Sequence, residues 1–320
     1  MKGRALLALS PDRAVRQIAR AQLGAAARSY RYLTHRRHPE ALHDFRVALR
    51  RLRSNLRAYA PYSDPVPEKL NRRLRRLARA TNAARDTEVQ IEWLRRQKRR
   101  LRAKARVGHA WLLARLEERS HMANREVRKK VIEQFSSLDA RLRATLRHRA
   151  DSGDRLADVT FARATGECLG VYCDEFAEDL LRIRSVADRD AIHAARIVGK
   201  RVRYLLEPLR GSVRGATALV GRLKAMQDRF GKLNDRFMTA REMAAAAIKT
   251  AEKRGEDIVP GLLELSGLVQ LDIDQCYEEI RARYLGRHAR KFIAPIRALS
   301  RRLAAPGVAS DSRPRRLRLE

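Results

Sequence analysis

HDFRVALRRLR, residues 43–53, decides how this chain folds, because the same residue types return at 193–203 as HAARIVGKRVR. An α-helix advances about 100° per residue, so His43, Arg46, Arg50 and Arg53 fall within an arc of about 80°. Arg57 extends that stripe by one more turn. Leu42, Phe45, Leu49, Leu52 and Leu56 occupy a face roughly 100° away, so the helix packs on its leucine side and turns its cations elsewhere. In the second copy His193, Arg196, Lys200 and Arg203 form the stripe, while Ala195, Val198, Val202, Leu205 and Leu206 take the packing role. Like charges one turn apart destabilise a helix, and exposed helices usually intersperse both signs. No acidic residue lies between positions 45 and 63. A cationic stripe built twice in register implies a polyanion that neutralises it.

The composition agrees. Among 320 residues, 71 Lys and Arg face 37 Asp and Glu, a formal charge of +34. Residues 1–150 hold 39 of the basic and 13 of the acidic side chains, and the remainder hold 32 and 24, so most of the positive field sits on the first half. Such a field draws in anions without fixing a fold. Only 12 of the 71 cations are Lys. Arg forks onto phosphate oxygens, whereas Lys is a point charge. Cys168, Cys173 and Cys276 are scattered and form no CxxC pair, which argues against a zinc site or a disulfide framework and suits a reducing cytoplasm. No apolar run approaches the ~18 residues of a membrane span, and no signal-peptide core opens the chain. A soluble cytoplasmic protein with no membrane partner is expected.

Helical periodicity dominates and strand signals are nearly absent, so the fold class is all-α. Ser10-Pro11 reads as an N-cap followed by Pro at the first helical position, opening an amphipathic run to 36. His38-Pro39 restarts a helix that carries the first stripe and ends near Pro61. After the breaker YSDPVP at 62–67, helices continue through 84 and then from Asp86 to 150. DSGD at 151–154 is the best internal boundary. Beyond it the pattern predicts helices over 156–185, 188–210, 215–233, 235–254 and 258–303. RLRRLAR at 73–79 lines up with RLKAMQD at 222–228 at an offset of 149, against 150 for the stripes. Near-equal offsets over two helices indicate a structural repeat. The expected organisation is an N-terminal bundle over 1–150, a C-terminal bundle over 151–303 facing it across an approximate two-fold axis, and a disordered basic tail over 304–320.

The repeat also selects residues. Arg73 and Arg222 coincide under it and join the candidate set, with Arg76 and Lys224 beside them; Arg72, Arg76 and Arg79 share one helix face. His43 and His193 open their helices, where capping and anion contact are both open readings. The candidate anion-binding set is therefore His43, Arg46, Arg50, Arg53, Arg57, Arg73, Arg76, His193, Arg196, Lys200, Arg203, Arg222 and Lys224. GxGxxG, GxxxxGK[ST] and HExxH are absent. Neither histidine has a companion set of nucleophile and base, and no carboxylates cluster. No catalytic residue, metal or cofactor is expected, and Asp86 and Asp235 read as capping or orienting groups. Arg95–Arg106 holds eight cations in twelve positions and fits either a polyanion or a solvated surface.

Four segments in order carry a resemblance to a known family. HDFRVALRRLR and HAARIVGKRVRY resemble the paired signatures of the CHAD domain, the conserved histidine α-helical domain. ARDTEV at 84–89 and QDRFGKLND at 227–235 resemble its companion segments. The resemblance implies two helical bundles with a basic cavity between them that binds long-chain inorganic polyphosphate, with phosphate or sulfate ions as lesser occupants. It also implies association with polyphosphate granules. The family's basic positions fall on Arg46, Arg50, Arg53, Arg196, Lys200 and Arg203, with His43 and His193 as its namesake histidines. Arg85-Asp86 departs from Asn234-Asp235 in the second copy. The ExExK segment of the triphosphate-tunnel enzymes fused to some relatives is absent, so a stand-alone binding module is expected. Nucleic acid is the second choice of partner, disfavoured by an aromatic content of 5% that leaves few rings for base stacking.

Overall fold

A computed structural model describes residues 3–34, 40–147, 159–251 and 257–306. The helices are α1 (Gly3–Leu7), α2 (Pro11–Thr34), α3 (Ala41–Ala58), α4 (Glu68–Ala80), α5 (Asn82–Gln97), α6 (Ala105–Arg147), α7 (Phe161–Arg182), α8 (Arg189–Leu206), α9 (Ala216–Ala251), α10 (Val259–Tyr284) and α11 (Arg287–Ala304). Single 3-10 turns cover Lys98–Arg100 and Glu207–Leu209. No strand occurs among the described residues, and the fold is all-α.

Local chemistry sets several ends. Pro11, whose fixed φ suits a first turn, opens α2. Thr160 caps α7, its hydroxyl accepting from the Arg163 amide at 3.3 Å. Three expected boundaries shift. Asn234-Asp235 does not break the chain, because α9 runs unbroken with Phe230, Leu233, Met243 and Ala246 buried along it. Asn and Asp inside a helix cost only tenths of a kcal/mol, less than exposing that apolar face. The single helix expected over 258–303 is instead two, parted at Gly286, whose φ of +55° an L side chain rarely adopts. The stretch expected from 86 to 150 is interrupted between Gln97 and Ala105. The expected boundary at 151–154 and the tail beyond 306 lie outside the described residues.

The apolar side chains gather in two clusters, and each draws on both halves of the sequence. The larger joins Leu23, Phe45, Leu49 and Leu52 with Phe135, Phe176, Val202, Phe230 and Ile280. The smaller joins Trp93, Leu94, Leu112 and Leu116 with Met243, Leu262 and Val269. At the crossing of α6 and α10 the backbones touch. A Cβ on Gly108 would lie 2.3 Å from the Ile258 carbonyl, and one on Gly261 2.4 Å from that of Ala105. Trp93 Nε1 donates to Asp272 at 2.7 Å, and Arg236 pairs with the same carboxylate at 3.3 Å, tying α5, α9 and α10 together.

Candidate anion-binding groove

Helices α3 and α8, which carry the two stripes, pack against each other. Phe45, Leu49 and Leu52 on one, and Val198, Val202 and Leu205 on the other, are buried in the larger cluster. Gly199 lets α8 lie close against α7 and α9, since a Cβ there would meet Met226 and Phe176. Gln227 of α9 donates to the Gly199 carbonyl at 2.8 Å and fixes that approach. With their apolar faces spent on the core, the stripes are left along the seam between the helices.

Lys200 marks the place where they meet. Its ammonium is pushed from 10.5 down to about 6, first by burial and then by the guanidinium groups of Arg196, Arg50 and Arg203; Asp235 opposes the shift weakly. Arg50 comes from the first half of the sequence and the other two arginines from the second. Four of the thirteen candidates therefore crowd one spot. Arg46 is buried beside them on α3, at 9% exposure, and His43 and His193 stand exposed on the first turn of α3 and the second of α8.

Further along α3, Arg53 is half-buried and Arg57 exposed. The Arg53 guanidinium is held below its ordinary value by burial and then by Arg79, Arg75 and Arg57. Its Nε is buried without a hydrogen-bond partner. Spacing alone groups Arg79 with one face of its helix and does not single out Arg75. Their nearness to Arg53 depends on how α4 crosses α3, which spacing within one helix does not report.

Two other candidates contact helices outside the α3–α8 pair. Arg73 donates to Ser137 Oγ of α6 at 3.1 Å, and Arg222 sits 5.2 Å over the Phe292 ring of α11. Both coincide under the repeat, and each contacts a helix other than α3 and α8. Arg76 and Lys224 are exposed. The side chains of Arg85 and Asp86 lie outside the described residues.

Sequence reasoning missed Glu207. It sits just past α8 and pairs with Arg51 of α3 (Nε to Oε2, 2.6 Å) and, more loosely, with Arg203 (3.6 Å). The acid that the first stripe lacks locally arrives from 156 residues away. A cavity of about 610 Å³ between α5 and α6, lined by Glu88, Glu92, Arg95, Arg96, Glu117 and His121, holds both signs and no stripe residue. A second of about 460 Å³ lies between α7 and α11. Among the described residues no group of three or more His, Cys, Asp or Glu could hold a metal ion, and no helix is long and apolar enough to cross a membrane.

A sequence model of the CHAD domain matches residues 17–244, a span containing both stripes. The chain belongs to the CHAD domain family. Solved structures bear out the fold of this CHAD domain. It is similar to the crystal structure of the CHAD domain from the plant Ricinus communis, with a TM-score of 0.63 and 22% identity over 92% of this chain and 93% of that one. It is also similar to PptA from Streptomyces chartreusis, with a TM-score of 0.60 and 16% identity over 84% of this chain and all of that one. No curated protein matches the CHAD chain by sequence.

Proposed function

We propose that this CHAD domain protein binds inorganic polyphosphate along the seam between α3 and α8, holds the chain without cleaving it, and through that contact resides at polyphosphate granules in the cytoplasm. One observation carries the reading. Arg50, Arg196, Lys200 and Arg203 converge from both stripes on one partly desolvated spot, where Asp235 opposes the shift of Lys200 weakly and Glu207 lies 3.6 Å from Arg203. Cations held in mutual repulsion are stabilised by an anion more than cations in water are, because burial strengthens each new charge-assisted bond. A linear phosphate polymer supplies charge at short regular intervals and carries no bases. It therefore needs repeated basic contacts, which stripes at one-turn spacing of about 5.4 Å provide, and no stacking platform.

The family is one linked to polyphosphate binding, and the matched span includes every residue of the convergent cluster. Combining Arg50→Ala with Lys200→Ala is expected to weaken long-chain polyphosphate binding at least about tenfold, with helicity by circular dichroism retained. Unchanged affinity in a salt titration would refute the assignment. RNA or DNA displacing polyphosphate at equal phosphate concentration would move the reading to nucleic acid, and chain shortening in the presence of Mg²⁺ or Mn²⁺ would make the protein an enzyme.

A further inference from the structure

The two stripes are not electrostatic equals. Under the offset of 150, Arg53 corresponds to Arg203 and Arg57 to Glu207. Under the offset of 149, Arg75 corresponds to Lys224 and Arg79 to Asp228. Thus two arginines of the first copy stand where the second copy has carboxylates. The structure shows what that does. Arg203 has Glu207 at 3.6 Å, and the same carboxylate also takes Arg51 across the seam. Its equivalent, Arg53, lies where α4 packs against α3, and the charges that act on it are those of Arg57 one turn along α3 and of Arg75 and Arg79 on α4. Glu68 pairs with Arg75 on the exposed surface of α4. An exposed pair of that kind contributes little and yields readily to a stronger anion.

Resting on the proposed polyphosphate reading, we propose that Arg53, Arg57, Arg75 and Arg79 form an arm of the groove on the α3–α4 side alone, so that the site favours chains long enough to run from Lys200 onto α4. The second-copy end is closed by Glu207, which repels a polyanion and occupies Arg51 and Arg203. A chain seated at Lys200 therefore gains contacts in one direction only. From Arg50 to Arg57 the axis of α3 rises about 10 Å. The outer end of the arm therefore lies beyond the reach of a triphosphate centred on Lys200 and within that of a longer polymer.

The test measures binding of triphosphate and of long-chain polyphosphate to the full chain and to three double variants. Arg75→Gln with Arg79→Gln is expected to weaken long-chain binding about tenfold and triphosphate binding less than about twofold. The slope of log affinity against log salt should fall by about 1.4, near 0.7 for each lost contact to a single strand. Lys98→Gln with Arg99→Gln removes the same charge from the exposed turn before α6 and is expected to leave both affinities nearly unchanged. Arg50→Ala with Lys200→Ala should weaken both ligands. Equal loss of both ligands in the α4 variant, no loss at all, or equal loss in the Lys98/Arg99 control would overturn the arm while leaving polyphosphate binding in place. Failure of the unmodified protein to bind either ligand would instead remove the underlying function. The α4 side chains are exposed, and a thermal melt of each variant separates lost contacts from lost fold.

Discussion

Binding of a polyanion at the seam should draw a proton onto Lys200. In the free protein its ammonium titrates at about 6, lowered by burial and by Arg196, Arg50 and Arg203. At pH 7.5 that leaves about 3% of the molecules charged at this position. Phosphate oxygens beside the nitrogen favour the charged form, so the bound value rises toward the ordinary lysine range. At pH 7.5 the complex should therefore take up nearly one proton per site, and affinity should fall by up to about one decade per pH unit above 6. Calorimetry in buffers of different ionisation enthalpy reads the proton count directly, and Lys200→Met removes the group. The difference between the two proteins is the quantity that matters. No uptake in the unmodified protein, or equal uptake in Lys200→Met, would refute the reasoning. The same shift acts on stability with a definite sign. The folded value lies below the unfolded one, so between pH 6 and 10.5 the unfolded chain holds more protons, and the ligand-free protein gains stability as pH rises through that window. Lys200→Met should accordingly raise the melting temperature more at pH 6 than at pH 9.

Glu207→Gln releases Arg51 and Arg203 from their shared carboxylate, and polyphosphate titrations should show affinity several-fold higher with a slightly lower melting temperature. Gly108→Ala places a methyl group 2.3 Å from the Ile258 carbonyl, backbone that cannot rotate aside. A loss of about 2–3 kcal/mol by denaturant midpoint is expected, with the affinity of the surviving folded protein unchanged.

Much of the groove was legible in the sequence because the stripes are local. His43 to Arg57 and His193 to Arg203 lie on single helices, where 3.6-residue periodicity alone settles which side chains share a face. Arg50 and Lys200 meet because each helix buries its apolar side in one core, and that too follows from the pattern. What could not be read was how one helix lies against the next. Arg73 and Arg222 match under the repeat, yet they turn to α6 and α11, since two equivalent residues can face outward as consistently as inward. Glu207 pairs with Arg51 across 156 positions, a partnership no spacing rule reports. The course of α9 differs from the expected boundary for a related reason. Asn234-Asp235 carries a turn composition, but the buried side chains on either side hold the helix straight through it.

Helices α6, α9 and α10 each bury residues in both apolar clusters: Phe135 and Leu116 on the first, Phe230 and Met243 on the second, Ile280 and Leu265 on the third. Neither cluster can come apart while the other stays intact without splitting a continuous helix between ordered and melted portions. Such rods couple the ends of the molecule, so that heat should dissolve it as one cooperative unit.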